Sequence, residues 1–200
     1  MCSVRTRIWQ DVDHDRCGVV PHLMDPDFGF ARYAENVLTK PQITAWRTGR
    51  VKAVGSKTAP ELYAAHLSQR EAAQILSNFF YDVRLKSRIE LRAADSMPPR
   101  YIAAYAQLVK SVFGSPAALQ NVLRHYAGIT TLDITTVKLA VCKDGFNALA
   151  YGKPISGELA WLLMQARSRT PSQEERALLD PFMALVMKRK TIRETENYNE

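Results

Sequence analysis

No run of apolar residues in this chain approaches the roughly 20 that a helix needs to cross a bilayer. The opening "MCSVRTRIWQDVDHD" also lacks the apolar centre of a secretion signal, so the expectation is a cytoplasmic protein with no membrane partner. Cysteine is sparse. Cys2, Cys17 and Cys142 are odd in number and widely spaced, with neither a Cys-x-x-Cys pair nor the Cys/His spacing of a metal site, and they read as reduced thiols. His14, His22, His66 and His125 show no metal-ligand spacing either. His125, near the end of an expected helix, reads as a partner of that helix's C-terminal dipole. There is no internal repeat, no low-complexity linker, and no zinc-finger, RRM or KH signature.

What is present is an ordinary globular composition, 46% hydrophobic and 24% charged over 200 residues, enough for a substantial core. Basic residues exceed acidic ones by 27 to 20, a net charge of +7. Such a surface field favours anions, whether nucleotides, carboxylates or nucleic acid, and charge alone does not choose among them.

The pattern along the chain divides near Pro98. Before it, "VRTRIW" alternates Val4, Thr6 and Ile8 against Arg5, Arg7 and Trp9, and reads as a strand. A chain opening in a strand is expected to be the later part of a longer architecture. "FARYAENVL" suits a short helix, and "QITAWRTGRVKAV" suits a hairpin turning at Thr48 and Gly49. Thr58 with Glu61, and Ser68 with Glu71, are capping boxes opening helices through "PELYAAHL" and "QREAAQILSNFF". After Pro98 the signals are helical: a proline start before "RYIAAYAQLVKSVFG", a Ser115 cap and Pro116 before an apolar stripe ending at Gly128, and three further helices, the last interrupted at Pro181. The tail "TIRETENYNE" reads as solvated. The expected organisation is one domain, strand-rich with two helices over residues 1–97, helical over 98–190, and a tail over 191–200: an α+β arrangement of partial antiparallel sheet followed by a helical layer.

"KSRIELRAADS" places Arg88, Glu90 and Arg92 at alternate positions, preceded by Arg84 and Lys86. Such a face can be no more than cross-strand pairs in water. Alternatively the cations gather around an anion, for which the forked, permanently charged guanidinium is well suited. Glu90 can orient its neighbouring arginines or help hold a divalent cation. Asp11 and Asp13, in the "DVD" after the first strand, read as solvated loop residues.

"VRTRIWQDVDHDRCG", "DPDFGFARY" and "FFYDVRLKSRIELRAADSMP" together resemble, in order, three blocks of the plant and bacterial type of glutamate-cysteine ligase. The resemblance covers about residues 4–125 and continues more weakly beyond. It implies a glutamine-synthetase-like fold, in which an antiparallel sheet forms a funnel for ATP, Mg2+ and substrates, and an enzyme of glutathione biosynthesis. The reaction implied activates the glutamate side-chain carboxylate as a γ-glutamyl phosphate, which the cysteine amine attacks. By the same resemblance, Arg5, Arg7 and Trp9 are substrate-binding, Arg88, Glu90 and Arg92 are catalytic, Arg84 and Lys86 are nucleotide-binding, and Glu90 is a metal ligand. The chain departs from the family at Gln42 and Ile43, where bulky residues are common, and lacks the family's long N-terminal half. A missing half or a second copy of the chain is then an expected partner. Two other readings stay open: a non-catalytic remnant or complementing subunit of such a ligase, and a basic nucleic-acid-binding module, against which the placement of the arginines on strand faces counts.

Overall fold

The computed structural model describes residues 4–63 and 66–196; Cys2, the Ala64–Ala65 portion of "PELYAAHL" and the last four residues of the tail lie outside the described residues. The chain divides into two compact units, one built on Arg5–Ala94 with Thr130–Thr135, the other on Asp95–Ile129 with Thr136–Glu200. The class is α+β, with the strands paired two by two.

The first unit opens with a correction. Residues Val4–Val12 form a helix, α1, where alternation suggests a strand. The same letters satisfy both periods, because Arg5 and Trp9 are also four apart and share a helical face. The Arg5 guanidinium lies over the Trp9 ring, 5.6 Å from its centroid, a contact the helical spacing makes and the strand spacing does not. A tight turn follows, held by Asp13, whose Oδ1 accepts from the backbone N–H groups of Asp15 and Arg16 and whose Oδ2 accepts from Arg16 Nε at 2.8 Å. Asp13 is therefore a structural anchor, while Asp11 is exposed.

The turn delivers β1 (Cys17–Gly18), and α2 (Phe30–Leu38) buries Tyr33 and Val37. β2 (Thr44–Arg47) and β3 (Arg50–Ala53) form the expected hairpin. Thr48 and Gly49 both have positive φ, 48° and 76°, the backbone that a two-residue turn matched to strand twist requires. The short α3 (Ala59–Leu62) and α4 (Gln69–Ser77) begin at the two expected capping boxes, with Glu61 and Glu71 each accepting from the backbone N–H of its own cap at 2.7 and 2.8 Å. β4 (Phe80–Tyr81) runs parallel to β1, and β5 (Val83–Leu85) folds back on β6 (Ile89–Leu91). Val37, Ala45, Ile75, Phe79 and Tyr81 form the centre of this unit's core, each 2% exposed or less.

In the helical unit, α5 (Pro99–Phe113) packs on α6 (Pro116–His125), α8 (Ile155–Ser168) and α10 (Asp180–Lys188). α7 (Thr131–Asp144) lies between α6 and a hairpin that the sequence did not announce, β7 (Leu149–Ala150) with β8 (Lys153–Pro154). α9 (Gln173–Ala177) precedes α10, whose start at Asp180–Pro181 is the expected interruption. α5 gives way at Gly114, where a Cβ would collide with the Lys110 carbonyl oxygen. Within the tail expected to be solvated, Thr191 and Glu194 cap a last helical turn, α11 (Ile192–Thr195). Leu163, Ala166 and Leu179 centre the core of this unit. His125 stacks on Trp161 with ring centroids 3.5 Å apart, and its Nε2 lies 2.8 Å from Oε2 of buried Glu158.

Candidate anion site

Parallel pairing of β1 with β4 places Phe80 opposite Cys17, and the Phe80 N–H donates to the Arg16 carbonyl at 2.7 Å. Phe79 and Tyr81 turn into the core, so alternation sends Phe80 the other way, toward α1. There Trp9 stacks on it at 5.4 Å between centroids. Immediately after β4, the β5–β6 hairpin pairs Arg84 with Glu90, while the Arg92 N–H closes on the Asp82 carbonyl at 2.7 Å. The hairpin has two unlike faces. Val83, Leu85 and Ile89 on one side line an apolar cavity of about 210 Å³ with Phe28 and Tyr33. Arg84, Glu90 and Arg92 lie on the other.

On that charged face, Glu90 Oε2 accepts from Arg84 Nε at 2.8 Å and lies 2.6 Å from its Nη2, with Arg92 Nη1 at 3.8 Å. Arg84 is itself buried, and its Nη1 donates to the Phe79 carbonyl at 3.2 Å. The Arg84 and Arg92 guanidinium carbons are each 5.9 Å from the Phe80 ring centroid. Thus Trp9 and Phe80 form an aromatic platform carrying Arg5 at one end and Arg84 and Arg92 at the other.

The charges in this cluster do not balance. The hydrogen bond from Arg84, reinforced by the charges of Arg84, Lys86 and Arg92, holds the Glu90 carboxyl below the usual glutamate range. For Arg92, burial comes first and the nearby positive charges of Arg84 and Arg5 second, and both lower its proton affinity from that of a free guanidinium. Arginine nonetheless stays charged at working pH. Arg92 Nε is buried with no hydrogen-bond partner among the described residues. A crowded cation with an unspent donor favours an anion beside it, a carboxylate or a phosphoryl oxygen.

The structure thus brings together Arg5, Trp9, Arg84, Glu90 and Arg92. Lys86 contributes charge from the hairpin's end. Arg7 is exposed, because a helix sends it off the Arg5–Trp9 face that a strand would have shared with it. Arg88 is exposed at the turn, where its carbonyl accepts from the Lys86 N–H at 2.9 Å. Phe80 is the platform residue that motif reading passed over. Its signal was the triplet "FFY", whose outer members point the same way and leave the middle one on the charged side.

A metal ion is not accommodated by these residues alone. Among the described residues there is no group of three or more His, Cys, Asp or Glu side chains placed to hold one. Oε2 of Glu90 is already taken by Arg84, which leaves one carboxylate oxygen where Mg2+ takes about six ligands. Gln42, a point of departure from the expected pattern, is fully buried, and its Nε2 donates to the Val37 and Lys40 carbonyls at 3.0 and 2.9 Å. Cys17 and Cys142 are free, buried thiols, and burial pushes the Cys17 thiol up from its ordinary value. No helix among the described residues is long and apolar enough to cross a membrane.

Residues 2–181 match the model of Glutamate-cysteine ligase family 2. The chain is 31% identical over 129 residues to the chloroplastic glutamate-cysteine ligase of Brassica juncea, a match covering 60% of this chain and 25% of the relative. It is 30% identical to that of Arabidopsis thaliana and 27% identical to glutamate-cysteine ligase A of Oryza sativa subsp. indica, over similar stretches. The chain spans about a quarter of the length of the curated relatives it matches.

Proposed function

Because this chain belongs to Glutamate-cysteine ligase family 2, we propose that it forms part of an ATP-dependent ligase that joins the side-chain carboxylate of glutamate to the amine of cysteine or a similar small amine. The observation that carries the reading is Arg92: a partly buried guanidinium, crowded by Arg84 and Arg5, whose Nε is buried and unspent. In the proposed reaction a γ-carboxylate oxygen of glutamate attacks the γ-phosphorus of ATP, and ADP leaves. The amine then attacks the acyl carbon, the phosphate departs with the C–O bonding pair, and the amine proton is lost to solvent.

Arg92 and Arg5 hold the anionic oxygens on which charge builds, which is where fixed cations act most strongly. Glu90 positions Arg84 and Arg92. Arg7 and Arg88 supply longer-range attraction, and the role assigned to Arg84 and Lys86 is contact with nucleotide phosphates. Mg2+ enters this reading only as the ion that accompanies ATP, and Glu90 is not given the role of its sole ligand. A cytoplasmic location is part of the same proposal; the plant relatives bear the word chloroplastic in their names.

The test is ADP release with glutamate, cysteine, ATP and Mg2+, with and without a polypeptide carrying the remaining ligase sequence. Release in either arm, falling about 10²-fold in Arg92→Ala, is the expected result. No ADP in either arm reduces the reading to shared ancestry. One observation favours a second reading, a complementing subunit without activity of its own: the Glu90 carboxylate is spent on Arg84. ADP release confined to the arm with the added polypeptide, and unaltered in Arg92→Ala, selects that reading.

A further inference from the structure

The β2–β3 hairpin carries a surface that the ligase reading does not use. From Asn36 to Pro60 there is no acidic residue, while Lys40, Arg47, Arg50, Lys52 and Lys57 supply positive charge. Lys40 pairs with Asp15 at 2.7 Å, and the Arg47 guanidinium is spent on the Leu62 carbonyl and lies 5.2 Å from the Tyr63 ring centroid. Glu61 lies near Lys57 and Glu71 near Arg47, but both carboxylates are engaged at their helix caps. Arg50 and Lys52 have no ion pair among the described residues.

β3 is exposed along its whole length, at Arg50, Val51, Lys52 and Ala53. Among the described residues it has one strand neighbour, β2. The register pairs Arg47 with Arg50 across the turn and Ala45 with Lys52, and the Val54 N–H donates to the Ile43 carbonyl at 3.2 Å. In an antiparallel ladder hydrogen-bonded pairs alternate, so Arg50, Lys52 and Val54 turn their backbone groups toward β2 while Val51 and Ala53 turn theirs outward. The outer edge of β3 is an open template for another strand.

The two faces beside that edge differ. Arg50 and Lys52 share the face of Arg47. Val51, 48% exposed, shares the other with Trp46, on which Arg70 stacks at 4.4 Å. A strand added at the edge would set alternate side chains against cations and against Val51 and Trp46.

We propose that the free edge of β3 docks an extended acidic peptide segment of a partner protein, in which acidic and apolar residues alternate. The acidic side chains face Arg50 and Lys52, the apolar ones face Val51 and Trp46, and the backbone pairs with Val51 and Ala53. Charge complementarity selects this occupant. A second copy of the chain would set Arg50 and Lys52 against like charges, and like charges directly opposite destabilise a strand pair. A nucleic acid offers phosphates but cannot extend the ladder.

The probe is a short synthetic peptide of alternating glutamate and valine, added to the full chain. Affinity is read by fluorescence anisotropy, and amide exchange at Val51 and Ala53 by NMR. The expected result is binding that slows exchange at both amides, weakens with added salt, and falls about tenfold in R50E/K52E. Val51→Pro keeps every charge, removes one outward N–H and should also weaken binding; it decides the matter should R50E/K52E not fold. The inference is overturned if a peptide of the same composition in two blocks binds equally well, or if the two amides stay unprotected. It fails equally if oligothymidylate binds through Arg50 and Lys52 in preference to the peptide, or if sedimentation shows a second copy protecting the same amides without peptide.

Discussion

Asn78 ties the end of α4 to the stretch from Gln42 to Thr44 with one amide. Its Oδ1 accepts from the Thr44 N–H at 3.1 Å and from Thr44 Oγ1 at 3.0 Å, while its Nδ2 lies 3.0 Å from Gln42 Oε1 and 2.9 Å from the Thr44 carbonyl. Both amide side chains are buried, Gln42 completely. Removing one member of such a network leaves the others desolvated and unpaired, which costs more than the bonds themselves contribute. Asn78→Ala should therefore destabilise the chain by about 2 kcal/mol, read as a lower urea midpoint, and a loss below about 0.5 kcal/mol would show that the network is slack. At Gln42 the departure from the family pattern serves the interior of the chain. The residue has been recruited to the interior, where the polar partners on α2 and α4 hold it.

The β5–β6 hairpin shows how an element settles what its letters leave open. Alternation in "KSRIELR" fixed a charged face and an apolar face, and both are present. What the letters could not reveal was the partner: Arg84 reaches Glu90 because the turn sets them opposite, in register. That pairing makes the hairpin sensitive to acid. The Glu90 carboxyl is held below its ordinary value of 4.5 by Arg84, so its stabilising contribution is complete above that pH and is lost as pH falls through the lower folded value. Denaturation midpoints measured downward from pH 6 should fall for the unsubstituted chain below about pH 4.5, with a smaller fall in Glu90→Gln; parallel curves would refute the assignment. α1 was illegible for a different reason. "VRTRIW" fits two periods, and the stacking of Trp9 on Phe80, 71 positions away, is a contact no local pattern encodes. The parallel β1–β4 pair, two residues to a strand, likewise leaves no periodic trace, yet it is what sets Phe80 under the arginines. The hairpin at Thr48–Gly49 and the capping boxes were legible because their chemistry is local.

At the scale of the whole chain, two separate sets of apolar side chains are buried, one in each compact unit. The net charge of +7 is not concentrated in one of them, since both the Arg84–Arg92 cluster and the helical segments after Pro98 are rich in arginine and lysine. Separate cores imply that stability is distributed unit by unit, with local opening governed by the packing each unit contains. Leu163, 3% exposed and packed with Val112, Ala166 and Leu179, is the place to test this. Leu163→Ala removes three buried carbons and leaves a cavity, at a cost of about 2–5 kcal/mol. Amide exchange should then accelerate along α5, α8 and α10, while the amides of Val37 and Ile75, in the core around Phe79 and Tyr81, keep their protection. Acceleration by the same factor in both sets would mean that the chain opens as a single cooperative block, and that its two cores are one unit of stability.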